Sequence, residues 1–165
     1  MTPTEIRFAT DGMLQSLGTW LRVLGYDCAA PKTEASRVLL ERAVADDRVF
    51  LTRNFHLTDN LPQRLLKRAQ VVHVLGEHLP EQLREIACRF SLDTERFLFT
   101  RCVECNEPLA RVSATKAAAC VQRDVLERER DFWHCARCGK TFWRGSHVRN
   151  SIEHLQDWLG APSSR

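Results

Sequence analysis

Hydrophobic and polar positions alternate between two patterns over the first ninety residues. Short, largely apolar runs are typical of buried strands, and they predict strands at 5–10, 26–30, 49–52 and 71–75. Between these runs, apolar residues recur at spacings of three and four, which is typical of helices with one buried face. Because strand and helix alternate four times, the pattern predicts an α/β fold, with a parallel sheet flanked by helices.

The first predicted helix follows Asp11 and ends at Gly25, and Thr33 is the expected cap of the second. The expected buried faces are Met13, Leu14, Leu17, Trp20, Leu21 and Leu24 in the first helix, and Val38, Leu39, Ala43 and Val44 in the second. Two further helices are expected at 61–68 and 79–90. The first part of the chain therefore has enough apolar positions for a core of its own.

The remainder of the chain predicts a smaller module. Strands are expected at 109–112 and 140–143, helical structure at 114–130, and a short final helix at 151–159. The predicted organisation is an α/β domain at 1–98, a small module with a helical insertion at 99–150, and a C-terminal helix with a frayed tail at 151–165.

Two C-x-x-C pairs organise this module. The pairs are Cys102 with Cys105 and Cys135 with Cys138. Four thiolates in two such pairs complete a tetrahedral zinc site with no position left for water, so the expected zinc is structural and the module is a zinc ribbon. Two disulfides or four unrelated buried thiols are the alternatives. Asn106 and Gly139 directly follow the pairs, and both residue types tolerate the left-handed conformation that such turns need.

The chain contains seven cysteines, an odd number that favours a reducing compartment over a disulfide scaffold. Cys28, Cys88 and Cys120 lie outside the two pairs and are expected to be packed or semi-exposed thiols. No apolar run is long enough to span a membrane, and no secretory leader opens the sequence. The expected location is therefore the cytoplasm.

Charge is unevenly distributed. Residues 1–99 are balanced, whereas residues 100–150 carry ten Lys or Arg against six Asp or Glu, a surplus of four positive charges. A basic surplus on one module is typical of contact with phosphates, and a simply solvated surface is an equally weighted alternative.

Polar residues follow the predicted strands where a parallel sheet presents its ligand-binding edge. They are Asp11 after the first strand, Arg53 and Asn54 after the third, and Glu77 after the fourth. A carboxylate at such a position either caps the next helix or binds magnesium or manganese, and for Asp11 alone the cap is favoured.

Six segments occur in an order that is typical of one family. They are Phe8–Leu14, Trp20–Asp27, Phe50–Arg53, Gln82–Leu83, Thr100–Cys102 and Phe142–His147. Together with the four cysteines they resemble the Mut-seven C-terminal RNase domain family over nearly the whole chain. The resemblance implies a PIN-like nuclease fold with a zinc ribbon. It also implies a metal-dependent ribonuclease in which acidic side chains at strand ends hold magnesium or manganese.

The resemblance transfers unevenly to individual catalytic positions. Asp11 matches the family's first acidic position, whereas Asn54 and Ser36 stand where the family has acidic residues. Glu34 is a nearby substitute for Ser36, and Glu77 is a further candidate without a clear family counterpart. The substitutions favour a second class of function, a non-catalytic adaptor that binds RNA or a ribonucleoprotein.

Basic and aromatic residues supply candidate RNA contacts. They are Arg53, Lys140, Trp143, Arg144 and His147, with Ser146 beside the last. An aromatic ring next to a guanidinium suits an unpaired base and its phosphate. Packing of the ribbon is the alternative for Trp143 and its neighbours, a surface salt bridge for Arg53, and a packed or surface histidine for His147. A thiol redox protein is a weaker third class, because zinc would shield the thiolates from exchange.

Overall fold

The structure is a computed structural model that describes residues 6–31 and 33–160. The predicted strand residue Glu5 and the predicted tail at 161–165 lie outside the described residues. The chain divides into two compact units, one up to Asn106 and one from Glu107 onward. The domain boundaries expected from the sequence, after residues 98 and 150, stay a prediction.

The first unit is built on a four-stranded parallel sheet, as the alternating pattern predicted. Its strands are β1 (Arg7–Thr10), β2 (Asp27–Ala29), β3 (Val49–Thr52) and β4 (Gln70–His73), in the spatial order β2-β1-β3-β4. In the register, Thr10 pairs with Leu51, and Thr52 pairs with His73. All four strands run in one direction, so their C-terminal ends lie along one edge of the sheet.

Helices cover both faces of this sheet. They are α1 (Gln15–Val23), which follows a 3₁₀ turn at Gly12–Leu14, α2 (Ser36–Ala45), α3 (Gln63–Leu66) and α4 (Leu79–Arg89). Phe8 contacts Tyr26 and Phe90 edge-on, whereas its neighbour Ala9 joins Phe50 in a cluster with the buried residues of α2. Successive strand residues point to opposite faces, so these two clusters form the two halves of the core.

Several predicted details of the helices are wrong. Met13 is 67% exposed, because it lies in the 3₁₀ turn before α1 rather than on the buried helix face. The second helix begins at Ser36 after Ala35, so Thr33 is not its cap, and it buries Leu40 while Val38 is 42% exposed. The helix expected at 61–68 is confined to Gln63–Leu66, and β4 ends at His73, two residues before the expected end.

Two contacts close the connection after α1. Gly25 ends the helix with a φ of +91°, and a β-carbon there would lie 2.2 Å from the carbonyl oxygen of Phe97, so only glycine fits. The adjacent Tyr26 is 1% exposed, and its hydroxyl accepts a hydrogen bond from the amide of Asp93 at 2.8 Å and reaches the Asp93 carbonyl at 3.3 Å. These contacts hold residues 93–97 against the end of α1.

The second unit has a three-stranded antiparallel sheet and three helices. The elements are β5 (Ala110–Val112), α5 (Ala114–Ala117), α6 (Arg123–Arg128), β6 (Phe132–His134), β7 (Thr141–Trp143) and α7 (Ser146–Leu159), with strand order β5-β6-β7. Its buried cluster is small: Ala117, Val121 and Phe132, with partly buried neighbours that include Trp143.

The sequence prediction for this unit needs three corrections. The strand β6 was missed, and the helical stretch expected at 114–130 consists of two short helices, α5 and α6. The final helix begins at Ser146 rather than Ser151, so Ser146 and His147 form its first turn. Val148 is the single apolar residue in 146–150, so no apolar period marks the start of this helix in the sequence.

Candidate functional site

The two cysteine pairs form turns of matching geometry. The amide of Asn106 donates to the carbonyl of Cys102, and the amide of Gly139 donates to the carbonyl of Cys135, each at 2.9 Å. Asn106 has a φ of +69° and Gly139 a φ of +74°, which confirms the expected left-handed conformation at both positions. Each turn therefore brings its two thiols to the same side of the backbone.

The four sulfur atoms come together. The Sγ atoms of the two pairs all lie within 4.8 Å of one another. In a tetrahedral zinc–thiolate site with bonds of about 2.3 Å, the sulfurs are roughly 3.8 Å apart, so the observed group fits such an ion after small adjustments. Four soft thiolates favour zinc over hard cations and leave no position for water. The cysteines can thus hold a metal, and their chemistry suits zinc.

A buried arginine holds the first cysteine turn in place. Arg22, on α1, is 7% exposed, and its Nη1 atom donates to the carbonyls of Val103 at 2.8 Å and Glu104 at 3.1 Å. Its Nε atom donates to the carbonyl of Cys28 at 2.8 Å. Sequence reasoning missed Arg22, although a charged residue among the apolar residues of α1 was the available signal. The turn is therefore fixed to helix α1 and to strand β2.

Asn106 makes a second attachment of the same turn. Its Oδ1 atom accepts from the amide of Cys28 at 3.0 Å, and its Nδ2 atom donates to Asp27 at 2.6 Å. Asp27 also pairs with Arg48 at 2.5 Å. Burial alone would raise the pKa of the Asp27 carboxyl, but the hydrogen bonds from Arg48 and Asn106 outweigh burial and lower it. Asp27 is the first residue of β2, within the strand predicted at 26–30.

Asp11 lies at the C-terminal end of β1 and is fully buried. Its Oδ1 atom accepts from the amide of Met13 at 3.0 Å, so it caps the 3₁₀ turn as expected. Its Oδ2 atom accepts a hydrogen bond from the hydroxyl of Thr52 at the end of β3. Sequence reasoning missed Thr52, because the contact depends on the register between β1 and β3. Asp11 is consequently held in one orientation from two sides.

Thr52 also connects this carboxylate to the segment that follows β3. The Thr52 hydroxyl accepts from the amide of Asn54 at 2.9 Å, and the side-chain oxygen of Asn54 accepts from the amide of His56 at 3.2 Å. Arg53 is partly buried, and its Nε atom has no hydrogen-bond partner among the described residues. The structure thus brings Asn54 next to Asp11 through Thr52, with the Asn54 side chain engaged in its own turn.

The other two acidic candidates have separate surroundings. Glu34 is paired with Arg42 on α2 at 2.6 Å, and Glu77 is exposed after β4 in front of α4. In residues 6–31 and 33–160, the four cysteines are the single group of three or more His, Cys, Asp or Glu side chains close enough to share a metal. Asp11 is therefore not part of a carboxylate cluster within the described chain.

His73 and Phe55 continue the series of neighbouring side chains that begins with Asp11 and Thr52. His73 is the β4 partner of Thr52, so both side chains lie on the same face of the sheet. The ring of Phe55 stacks on His73 with centroids 5.3 Å apart and an angle of 15° between the planes. Neither residue was selected from sequence, since their proximity depends on the pairing of β3 with β4.

The candidate RNA contacts of the second unit divide into packed and exposed residues. Trp143 packs against the cluster around Phe132, while Lys140, Arg144 and His147 are exposed. The guanidinium of Arg144 lies 5.8 Å from the ring centroid of Trp133. Packing is thus established for Trp143, and RNA contact by these residues stays a prediction.

The remaining cysteines fit the expectation for packed or semi-exposed thiols. Cys28 is buried, and burial raises the pKa of its thiol to about 12, so it stays protonated. Cys88 and Cys120 are exposed free thiols.

A parallel α/β sheet followed by a four-cysteine cluster agrees with the family that the motifs suggested. A family model described as the Mut7-C RNAse domain matches residues 6–155 of the 165-residue chain. The chain therefore belongs to the Mut7-C RNAse domain family, which indicates a nuclease-like function with RNA as the class of substrate. No curated protein and no solved structure matches it significantly.

No helix in the described part of the chain combines the length and the apolar character needed to cross a membrane.

Proposed function

We propose that this protein is a ribonuclease that cleaves RNA phosphodiester bonds with magnesium or manganese at the Asp11 end of the sheet. The observation that carries the proposal is a fully buried carboxylate, fixed by Thr52 at the C-terminal end of β1, in a chain of an RNase family. We further propose that the four cysteines bind zinc. The Lys and Arg side chains within residues 100–150 are proposed to increase affinity for RNA.

A hard divalent ion fits the residues at Asp11 only together with substrate. Asp11 offers one carboxylate, and the Asn54 oxygen is engaged with the amide of His56. Magnesium is commonly held by one or two carboxylates, with water and substrate phosphate supplying the other ligands. The proposal therefore requires ion binding to be weak without RNA and stronger with it. When bound, the ion would activate water and neutralise charge on the phosphate.

The chain's own residues have distinct roles in this proposal. Asp11 supplies the negative charge, while the Met13 amide and the Thr52 hydroxyl keep its carboxylate in one orientation. Arg53 follows directly and is only partly buried, although its Nε atom is buried without a partner in the described chain. Its terminal guanidinium nitrogens are proposed to bind a phosphate. Glu34 and Glu77 are proposed as additional carboxylates that approach when RNA is bound.

The Asp11→Asn variant tests the enzyme proposal. Asparagine keeps an oxygen that can accept from the Met13 amide but removes the charge, so cleavage should fall by about a hundredfold or more while the melting temperature changes little. The exposed Asp59→Asn variant is the matched control and should cleave like the wild type. Cleavage of single-stranded and structured RNA in manganese is the measurement.

Restoring the family's acidic residues provides the converse test. Asn54→Asp and Ser36→Asp should raise metal affinity and the cleavage rate, because added carboxylates strengthen binding of a hard cation. If the wild type and both restored variants fail to cut any RNA in manganese, the enzyme proposal is wrong.

The second candidate is a non-catalytic adaptor that binds RNA or a ribonucleoprotein. It is favoured because, within the described residues, Asp11 belongs to no group of three or more His, Cys, Asp or Glu side chains close enough to share a metal. An adaptor should bind RNA with an affinity that falls steeply with salt and weakens in Lys140→Ala and Arg144→Ala, and it should not cleave. Binding that ignores salt would contradict a role for the basic module.

A further inference from the structure

The exposed large apolar side chains of the described chain all come after the C-terminal end of a strand of the parallel sheet. They are Met13, Val38, Phe55 and Leu75, with exposed fractions of 67%, 42%, 50% and 70%. Met13 follows β1, Val38 lies in the first turn of the helix after β2, Phe55 follows β3, and Leu75 follows β4. Because the strands are parallel, all four segments leave the sheet at its C-terminal edge. The exposed apolar surface is therefore concentrated at the edge that carries Asp11.

Phe55 has the geometry of a stacking platform. One face of its ring rests on His73 at 5.3 Å and 15°, while half of the residue remains exposed. The imidazole of His73 covers one face of the Phe55 ring, and its Nε2 atom is buried without a hydrogen-bond partner in the described chain. A flat ring supported from behind can accept a second flat ring on its open face.

This platform is connected to Asp11 by a short series of contacts. His73 pairs with Thr52 across β3 and β4, and Thr52 donates a hydrogen bond to Asp11. Arg53 lies between Thr52 and Phe55 in sequence, and its Nε atom has no partner among the described residues. An aromatic face, a cation and a carboxylate thus occur within the end of one strand and its neighbours.

We infer that the C-terminal edge of the sheet binds single-stranded RNA, with a nucleobase stacked on Phe55 and the adjoining phosphate directed toward Arg53 and Asp11. The inference rests on the proposed function and deepens it by naming the form of the substrate. Duplex RNA hides the faces of its bases, so a stacking platform selects unpaired nucleotides. The neighbouring guanidinium favours RNA over an apolar protein segment as the occupant, because stacking together with phosphate contact is the usual combination for single strands.

The test measures binding of a labelled single-stranded oligoribonucleotide by fluorescence anisotropy, in zinc-loaded protein without magnesium or manganese. Phe55→Ala and Phe55→Leu should each weaken binding by about tenfold to a hundredfold, and Phe55→Trp should retain it. Leucine is the decisive control, since it keeps an apolar side chain and removes the aromatic face. An abasic oligonucleotide of the same length should bind the wild type and Phe55→Leu equally.

Two results would overturn the inference. One is a Phe55→Leu variant that binds as tightly as the wild type, which would assign the apolar edge to another occupant such as a protein. The other is a wild type that does not bind single-stranded RNA. Because this assay involves no cleavage, its outcome is separate from that of Asp11→Asn. A loss of cleavage in Asp11→Asn with no effect of Phe55→Leu would reject the platform and retain the ribonuclease.

Discussion

The two units of the chain differ in what stabilises them. The α/β unit buries apolar side chains from all four strands and from helices on both faces of its sheet, Phe8, Leu21, Leu40, Phe50 and Ile86 among them. Among the described residues of the second unit, the buried cluster consists of Ala117, Val121 and Phe132. Burial of apolar area is the main source of stability in a domain, so the first unit has an adequate source and the second does not.

This difference gives a physical reason for the cysteine pair Cys135 and Cys138 in the second unit. A small module with a thin core usually needs a metal or disulfides to fold. The α/β unit, which contains the other pair, Cys102 and Cys105, has an extensive apolar core, and its Cys28 is buried there as an ordinary apolar side chain. We therefore expect metal removal to unfold the second unit, and substitutions in the apolar core of the α/β unit to destabilise that unit.

The largest expected effect is that of metal removal. Purified protein should contain about one zinc per chain, and Cys135→Ser should unfold β5, β6 and β7 while strands β1 to β4 persist. Structural zinc contributes on the order of 10 kcal/mol in small modules, far more than the cluster around Phe132 can replace. Amide hydrogen exchange resolves the two regions separately.

Cys120→Ser is the matched control for this experiment. Cys120 lies in the same unit, is exposed and does not belong to the sulfur cluster, so the variant should behave like the wild type. Protection of β6 and β7 that survives in zinc-free protein would break the contrast between the two units.

Substitution of Arg22 should have an intermediate effect, and it tests whether the first cysteine turn depends on this arginine. Arg22→Met keeps most of the apolar stem but removes the donors for the carbonyls of Cys28, Val103 and Glu104. The free energy of unfolding of the α/β unit should fall by about 3 kcal/mol, and zinc should be lost faster to a competing chelator. Chemical denaturation and zinc release measure the two effects.

The exposed Arg37→Met variant is the control, because its ion pair with Glu41 lies at the surface and should contribute about 0.5 kcal/mol or less. If Arg22→Met destabilises the α/β unit without altering zinc release, the arginine serves the core alone and the first cysteine turn is independent of it.

The smallest effect is expected from the Asp27–Arg48 pair beside that turn. The pKa of the Asp27 carboxyl is lowered in the folded protein, so its contribution is present above the ordinary value of 3.8 and is lost as pH falls further, through the folded pKa. Asp27→Asn should therefore be less stable than the wild type at neutral pH, and the difference should shrink below pH 3.8. Urea unfolding at both pH values measures it, and a difference independent of pH would exclude the charge as its source.

The sequence was sufficient for those parts of the fold that carry a clear apolar pattern. The strand Val49–Thr52 is buried at every position, and a continuous apolar run located it. Helix α4 keeps Leu83, Ile86 and Ala87 inside, and their helical period located it. Met13 and Val38 were misplaced because the pattern also continued onto apolar residues that are exposed. The strand Phe132–His134 was missed because three residues before a cysteine pair are too few to establish a period.

The candidate site could be predicted only in part, because some of its contacts depend on the pairing of distant strands. Asp11 was identifiable because a carboxylate directly after a buried strand marks the ligand-binding edge of a parallel sheet. Its partner Thr52, and the stack of Phe55 on His73, depend on how distant strands align, which local patterns do not determine. The cysteine turns were predictable down to the left-handed residues, because their geometry is entirely local.

Tyr26, described above through its contact with Asp93, has a practical consequence. It is the single tyrosine of the chain, and burial is the main cause that raises the pKa of its hydroxyl above the ordinary value. Any event that separates residue 93 from the end of α1 would expose this phenol and lower that pKa. The ultraviolet absorbance of tyrosinate during an alkaline titration therefore reports whether residue 93 stays in contact with the end of α1, and no label is needed.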